Sequence, residues 1–417
     1  MRAASNRVPK TLCMNSMYID EKKGLLSPKV VLVLGLLSAI AALSTDMYLP
    51  LFPDITSSLQ TTPARVQLSI TAFMIGLSVG QLIIGPCSDH YGRRKLLLGG
   101  TMLLTVASMA CALSSNIELL IVARFFQGLG GAAGIVLARA IISDLCPRDR
   151  AAQYFNLVLA IQGIAPIAAP LIGGVASYFI WPVVFVFMAL IACITTFFSG
   201  YYVRESLPID QRPPFSFYKF FSQLYCLVSN KPYLAYTLIF STQFGALFAY
   251  ISASPFIYQS LFKFSAGEFS IIFSINAGIM MLGSIISARY VLKYGANSLM
   301  RGGIICTLVI STLLCIVDSL SQFQCEITII LLFFMMFSMS FIFGNAASMA
   351  MAATSNLKGT GSAVMGAIQF CSAAITPPLL GFGNPLSVLP MALVITGCSV
   401  ISILALLLTT TEGRSDE

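Results

Sequence analysis

The sequence predicts an all-α integral membrane protein, with twelve transmembrane helices in two pseudo-symmetric six-helix halves. Three observations predict it. Of 417 residues, 57% are hydrophobic and only 10% charged, well below the quarter expected of a soluble domain, and mean hydropathy is +0.87. Twelve apolar runs each approach the twenty or so residues a helix needs to cross a bilayer. A long basic connection divides them six and six.

In chain order the runs are 30–51, 66–86, 96–114, 117–142, 152–175, 180–203, 233–255, 268–290, 297–317, 326–350, 360–380 and 387–409. Helices are expected because lipid offers the backbone no hydrogen-bond partners; a barrel would show alternating segments of about ten residues. The polar, basic start is too long for a signal n-region and no small-residue cleavage site follows, so 30–51 reads as an uncleaved span. Pro50 and Pro53 predict bends at its far end. The domain reading is a tail at 1–29, a first half at 30–203, a linker at 204–232, a second half at 233–409 and a tail at 410–417.

Placing the N-terminus inside puts 21 of the 24 Lys and Arg residues in inside segments, leaving Arg65 and Lys263 outside and Arg124 within a span. The positive-inside rule then predicts a multi-pass membrane protein with both termini in the cytoplasm. Within the linker, FSFYKFFSQLYCLV (215–228) reads either as an interfacial amphipathic helix or as irregular connection. GPCSDHYGRRK after span 2 has a degraded echo in SARYVLKYGAN after span 8, sharing Tyr-Gly and basic character. Cys111, Cys193, Cys306, Cys315, Cys371 and Cys398 lie in apolar runs without paired spacing and read as small buried hydrophobes. The single histidine, His90, sits in no metal-ligand pattern, so no metal and no cofactor are expected.

Three stretches carry the chemistry. In GPCSDHYGRRK (85–95), Gly85 suits close helix packing, Gly92 a positive φ, and Asp89 either an ion pair with an arginine or a place facing a helix N-terminus. In RFFQGLGGAAGIVLARAIISD (124–144), Gly128, Gly130, Gly131 and Gly134 make one helix face small, beside Gln127 and an intramembrane Arg124 that should face a cavity or a partner. In GIAPIAAPLIGG (163–174), Pro166 and Pro170 bend a helix while Gly173 and Gly174 permit tight packing.

These stretches resemble motifs of the major facilitator superfamily. The first is similar to its G-x-x-x-D-x-x-G-R-R/K motif, filled by Gly85, Asp89, Gly92, Arg93 and Arg94. The resemblance implies a cytoplasmic latch that holds the halves together in the outward-open state. The second resembles the span-4 motif of proton-coupled members, through Arg124, Gln127, Gly128, Gly130 and the closing Asp144. The third resembles the span-5 antiporter motif, with Ala169 where its first glycine normally stands. With LSTDMYLPLFP (43–53), FAYISASPFIYQ (248–259), FGNAASMAM (343–351) and GTGSAVMGAIQF (359–370), the whole is similar to the Bcr/CflA drug:proton antiporters. That implies the major facilitator fold, a monomer in a bacterial inner membrane, and small-molecule substrates and protons as partners, with no nucleic acid.

Asp46 and Arg124 are the charges expected well inside spans. Counted from the outer span ends, they lie about 12 and 9 Å deep, compatible with one level of a central cavity. Desolvation and a nearby guanidinium act oppositely on a carboxylate, which suits Asp46 to proton exchange with Arg124 as charge partner; a structural ion pair is the competing reading. Tyr48, Asn156, Gln162, Gln243, Tyr250, Asn276 and Gln369 are candidate cavity residues. Uptake or metabolite exchange on the same fold stays open. A membrane-embedded enzyme would need a clustered catalytic set, and one histidine with two intramembrane charges does not supply it.

Overall fold

The computed structural model describes residues 19–20, 25–146, 148–212, 217–318, 324–354, 357–384 and 386–410. Most of the 1–29 tail, the start of the 215–228 stretch and residues 411–417 lie outside the described residues. A two-residue ladder pairs β1 (Ile19–Asp20) with β2 (Leu25–Leu26).

The first half comprises α1 (Pro28–Asp46), a 3₁₀ turn (Leu49–Leu51), α2 (Phe52–Ser58), α3 (Pro63–Tyr91), α4 (Arg93–Ala112), α5 (Ile117–Leu145), α6 (Arg148–Ala176) and α7 (Pro182–Tyr202). Helix α8 (Phe217–Ser229) lies in the linker. The second half comprises α9 (Lys231–Pro255), a π-helical turn (Phe256–Leu261), α10 (Ala266–Tyr294), α11 (Ala296–Val317), α12 (Gln324–Ala352), α13 (Lys358–Leu380) and α14 (Leu389–Thr410). Among the described residues twelve helical stretches are long and apolar enough to cross a membrane, the first being Pro28–Ser58. One end of the bundle carries the linker; the other is the distal end.

Helix ends follow local chemistry. Asn116, Asn230, Thr62 and Ser265 cap α5, α9, α3 and α10 through side-chain acceptors, and Ser265 forms a full capping box with Glu268. Helix α3 runs five residues past the expected span end at 86, because Ser88 to Tyr91 stay helical until Gly92 turns the chain at φ +100°. The weak repeat has a geometric counterpart. α3 and α10 are both 29 residues long, and each ends at a Tyr-Gly whose glycine has positive φ, Gly92 and Gly295.

The linker stretch is helical rather than irregular. Leu227 of α8 is buried with Tyr233, Ala350 and Val364, while Gln223 accepts a hydrogen bond from Thr360 at 2.9 Å. The cysteine reading needs correction. Cys111 and Cys398 are buried, but Cys193, Cys306 and Cys371 are exposed and Cys315 is half-buried. An apolar run in a membrane helix has an outward face, so its cysteines need not point inward.

Across the seam between halves, α3 packs along α13 and α6 along α10. Thr71 and Ser78 donate to the Ala374 and Ala367 carbonyls, and Ser274 to the Ile167 carbonyl. At the distal end Gln67 donates to the Ser252 carbonyl and Gln259 to that of Pro50, while the Phe52 and Phe256 rings lie 5.8 Å apart. These contacts close the distal end. Toward the linker end, Arg139 on α5 and Asn156 on α6 are exposed.

Candidate functional site

The first span breaks where the sequence predicts a bend. α1 ends at Asp46, and Pro50 and Pro53 restart the chain as a 3₁₀ turn and a short helix. Asp46 therefore occupies the last turn of α1, buried at 5% exposure. The break is fitted closely by α6. A Cβ on Gly173 would stand 2.0 Å from the Met47 carbonyl oxygen, and one on Gly174 would stand 2.5 Å from Ser270 Oγ of the other half. The two glycines thus let α6 approach both the broken span and α10. Pro166 and Pro170 lie inside α6, which continues through both to Ala176.

Arg124 is fully buried on α5. Its Nη1 donates to the Ser44 carbonyl at 2.9 Å and to Gln127 Oε1 at 2.5 Å, and Gln127 Nε2 donates to Ser108 at 2.8 Å. The rings of Phe73, Tyr48 and Phe185 surround the guanidinium at 4.2, 4.5 and 5.9 Å. Such cation–π contacts contribute about 0.5–2 kcal/mol each where water is excluded. Nε and Nη2 have no hydrogen-bond partner. Among the described residues no ion pair joins Arg124 to Asp46; the guanidinium reaches α1 through a backbone carbonyl two residues earlier. Depth matching thus brings the two into one neighbourhood without pairing their charges.

The glycines of α5 do not form one small face. Gly128 fits against the Phe73 carbonyl of α3, Gly130 against Gly100 and Leu104 of α4, and Gly134 against the Leu37 carbonyl of α1, while Gly131 has ordinary clearance. Three different neighbours each use a different glycine. Gly85 also departs from expectation, since a Cβ there would meet only Val136, at 4.0 Å.

At the linker end Arg93 pairs with Asp89 and, at 3.1 Å, with Asp144, which also accepts from Ser206. Glu205 accepts from the backbone N–H of Arg93 and Arg94 at 2.8 and 3.4 Å, capping α4 with a linker carboxylate. Arg94 donates to the Gly200 carbonyl, and Arg212 pairs with Glu205 at 3.4 Å and donates to the Tyr91 carbonyl. Glu205, Ser206 and Arg212 had no signal in the motif itself. Their link is through space, from the end of α7 back to the α3–α4 turn.

Two of the cavity candidates face elsewhere. Tyr48 is fully buried, bonded to Ser69 at 2.5 Å and packed on Arg124. Gln243 donates to Ser402 and Ser399 in the α9–α14 seam. Gln162 and Gln369 are half-buried and Asn156 is exposed; Asn156 and Gln162 lie on α6 and Gln369 on α13. Tyr250 and Asn276 meet, with Asn276 Nδ2 donating to the Tyr250 hydroxyl at 3.0 Å. A pocket of about 370 Å³ indents the closed distal seam beside the contacts that close it, lined by Gln67, Phe256, Ile257, Asn384 and Pro390, and touches neither Asp46 nor Arg124.

A broken first span and a buried arginine in span 4 thus sit within a membrane bundle of two six-helix halves joined by a linker. Residues 34–377 match the model described as Major Facilitator Superfamily, and the chain belongs to that family. It is 33% identical to an uncharacterized MFS-type transporter, YdgK, of Bacillus subtilis, over 89% of this chain and 93% of the relative. It is 27% identical to a bicyclomycin resistance protein homolog of Haemophilus influenzae, over 90% and 94%. It is 29% identical to a chloramphenicol resistance protein of Pseudomonas aeruginosa, over 69% and 68%. Among solved structures, a bacterial homolog of the human lysosomal transporter Spinster, in an inward-facing conformation, has TM-score 0.71 at 13% identity, covering 93% of this chain and 98% of that one. A D-xylose–proton symporter has TM-score 0.70 at 14% identity, covering 90% and 96%. At such identities these two speak for the fold alone.

Proposed function

We propose that this chain is a proton-coupled antiporter of the Bcr/CflA type that exports small amphiphilic compounds across a bacterial inner membrane. Both termini lie in the cytoplasm, and the protein works as a monomer. The observation that carries the reading is a buried carboxylate, Asp46, at the break of span 1, close to a buried guanidinium that holds it by no ion pair. A locked pair would resist protonation; an unpaired carboxylate is free to exchange its proton. Relatives named for drug resistance support export, and the inside bias of Lys and Arg supports the orientation.

In this conformation the distal, outer end is closed. Asp46 gives up its proton toward the cytoplasm, and substrate then enters the deprotonated carrier. Rocking of the two halves carries the substrate outward, and reprotonation from outside returns the carrier. Asp89, Arg93 and Asp144 form the cytoplasmic latch, which in this state engages the first half and the linker. Asn156, Gln162 and Gln369 serve the substrate cavity.

The test uses inverted vesicles. An imposed proton gradient should drive drug uptake, and drug addition should release protons. Asp46→Asn should abolish both while the protein stays folded. Coupled transport surviving in Asp46→Asn would remove Asp46 from the mechanism.

A further inference from the structure

The two halves meet at the distal end through a pair of matching breaks. Spans 1 and 7 open the first and second halves. Pro28–Ser58 and Lys231–Leu261 are each 31 residues long, and each breaks near its far end, at Pro50 and after Pro255. The phenylalanines just past the breaks, Phe52 and Phe256, set their rings 5.8 Å apart. Elsewhere along the seam whole helices pack lengthwise, α3 on α13 and α6 on α10. At this junction short turns meet instead: the 3₁₀ turn touches α9 and α10, and α2 touches the π-helical turn.

Two glutamines cross the junction in opposite directions. Gln67 Nε2 on α3 donates to the Ser252 carbonyl of α9 at 3.1 Å, and Gln259 Nε2 on the π-helical turn donates to the Pro50 carbonyl at 3.0 Å. Each half thus grips the other's backbone with one amide. The sequence explains one acceptor. In a 3₁₀ turn a carbonyl bonds the N–H three residues on; Pro53 has no N–H, so the Pro50 oxygen is left for Gln259. Ser252 lies in the last turn of α9, just before Pro255 and the π-helical turn end it. Both bonds are neutral and replaceable. Gln67 is only 5% exposed, yet it lines the pocket that indents the distal seam. Water entering there takes over its amide once the halves part, so neither partner is stranded. The closed and open ends then differ by the modest net worth of an amide–carbonyl bond rather than by a desolvation penalty.

We propose that Gln67 and Gln259 are positioning residues that form a reciprocal outer clasp and set how much of the time the outer end is closed. Thr71, Ser78 and Ser274 donate across the lengthwise helix pairs, which suit a hinge; the two glutamines sit where the broken spans separate. This rests on the alternating-access part of the proposed function and not on the role of Asp46.

The experiment is hydrogen–deuterium exchange on the full-length protein in nanodiscs, without drug. Gln67→Met and Gln259→Met each keep side-chain length and remove the donor. Each should raise exchange over 48–60 and 250–262 about threefold to tenfold, the range of one neutral hydrogen bond, and slow exchange over 136–145 at the linker end. Gln67→Asn, too short to reach Ser252, should behave like Gln67→Met. The opposite changes at the two ends are the signature of a shifted equilibrium; a loosened fold speeds exchange at both. Should one variant fail to fold, the other carries the same expectation. Variants with wild-type exchange at the outer end, or with faster exchange at both ends, overturn the clasp. A wild type that exchanges no drug for protons in vesicles overturns the antiporter reading and leaves the exchange measurement standing.

Discussion

Arg124 grips the Ser44 carbonyl of α1 at 2.9 Å and leaves the Asp46 carboxylate, two residues on, without an ion pair. The buried cation is held by rings, one amide oxygen and one backbone carbonyl. Helix position and charge coupling are thereby separated. Arg124 holds the last turn of α1 through its backbone and makes no ion pair with the Asp46 carboxylate.

Arg124→Lys should therefore fail despite keeping its charge. An ammonium cannot stack three rings and serve Ser44 and Gln127 from one planar fork. We expect at least a tenfold loss of drug uptake in inverted vesicles, with expression retained. Uptake within twofold of wild type would contradict the caged geometry.

Gly173→Ala and Gly163→Ala form a matched pair on α6. The first puts a Cβ 2.0 Å from the Met47 carbonyl, and the second meets nothing within 4 Å. The first should cost about 1–3 kcal/mol from overpacking. The second should be neutral or stabilising by up to about 1 kcal/mol, because alanine favours the helix. Melting temperatures in detergent separate them.

Gly92→Ala and Gly295→Ala test the two related turns. Both glycines have positive φ, and a Cβ on Gly92 would also reach Glu205 Oε2 at 2.4 Å and Arg212 Nη2 at 2.7 Å. Gly295 meets nothing within 4 Å. With ψ of 148° and 149° both sit in a region that only glycine adopts readily, so backbone strain of about 1–3 kcal/mol applies to each, and Gly92→Ala should melt lower than Gly295→Ala by the added clash. Equal melting would mean the linker does not lie against the turn.

Glu205→Ala removes the acceptor for the first two N–H groups of α4. Lost caps typically cost about 1 kcal/mol, and Arg212 loses its ion pair as well. The variant should melt lower and expose the 204–212 segment to proteolysis. Glu205→Gln, which keeps one oxygen acceptor, should restore part of the difference.

Much of this was legible in the sequence because lipid imposes strict rules on apolar length. The break at Pro50, the positive φ of Gly92 and the Asp89–Arg93 pair followed from local chemistry. Misplaced features concerned which neighbour a residue meets. Gly85 and the α5 glycines look alike in sequence, yet only some meet another backbone closely. Gln243 and Tyr48 are polar residues at mid-span, and each spends its polarity on a serine in a helix seam. Asp46 and Arg124 share a depth, but depth along two helices leaves rotation about them open, and rotation decides whether charges touch.

The cage around Arg124 also has an electrical consequence. Its charge is permanent and lies inside the membrane field. In the proposed cycle, the neighbourhood sums to zero while Asp46 is ionised and to +1 once it is protonated. The return stroke, with Asp46 protonated, therefore moves charge that the drug-loaded stroke with a neutral drug does not. At about 2.3 kcal/mol per charge per 100 mV, the membrane voltage would drive that stroke as well as the proton gradient, and a cationic drug would be expelled against it.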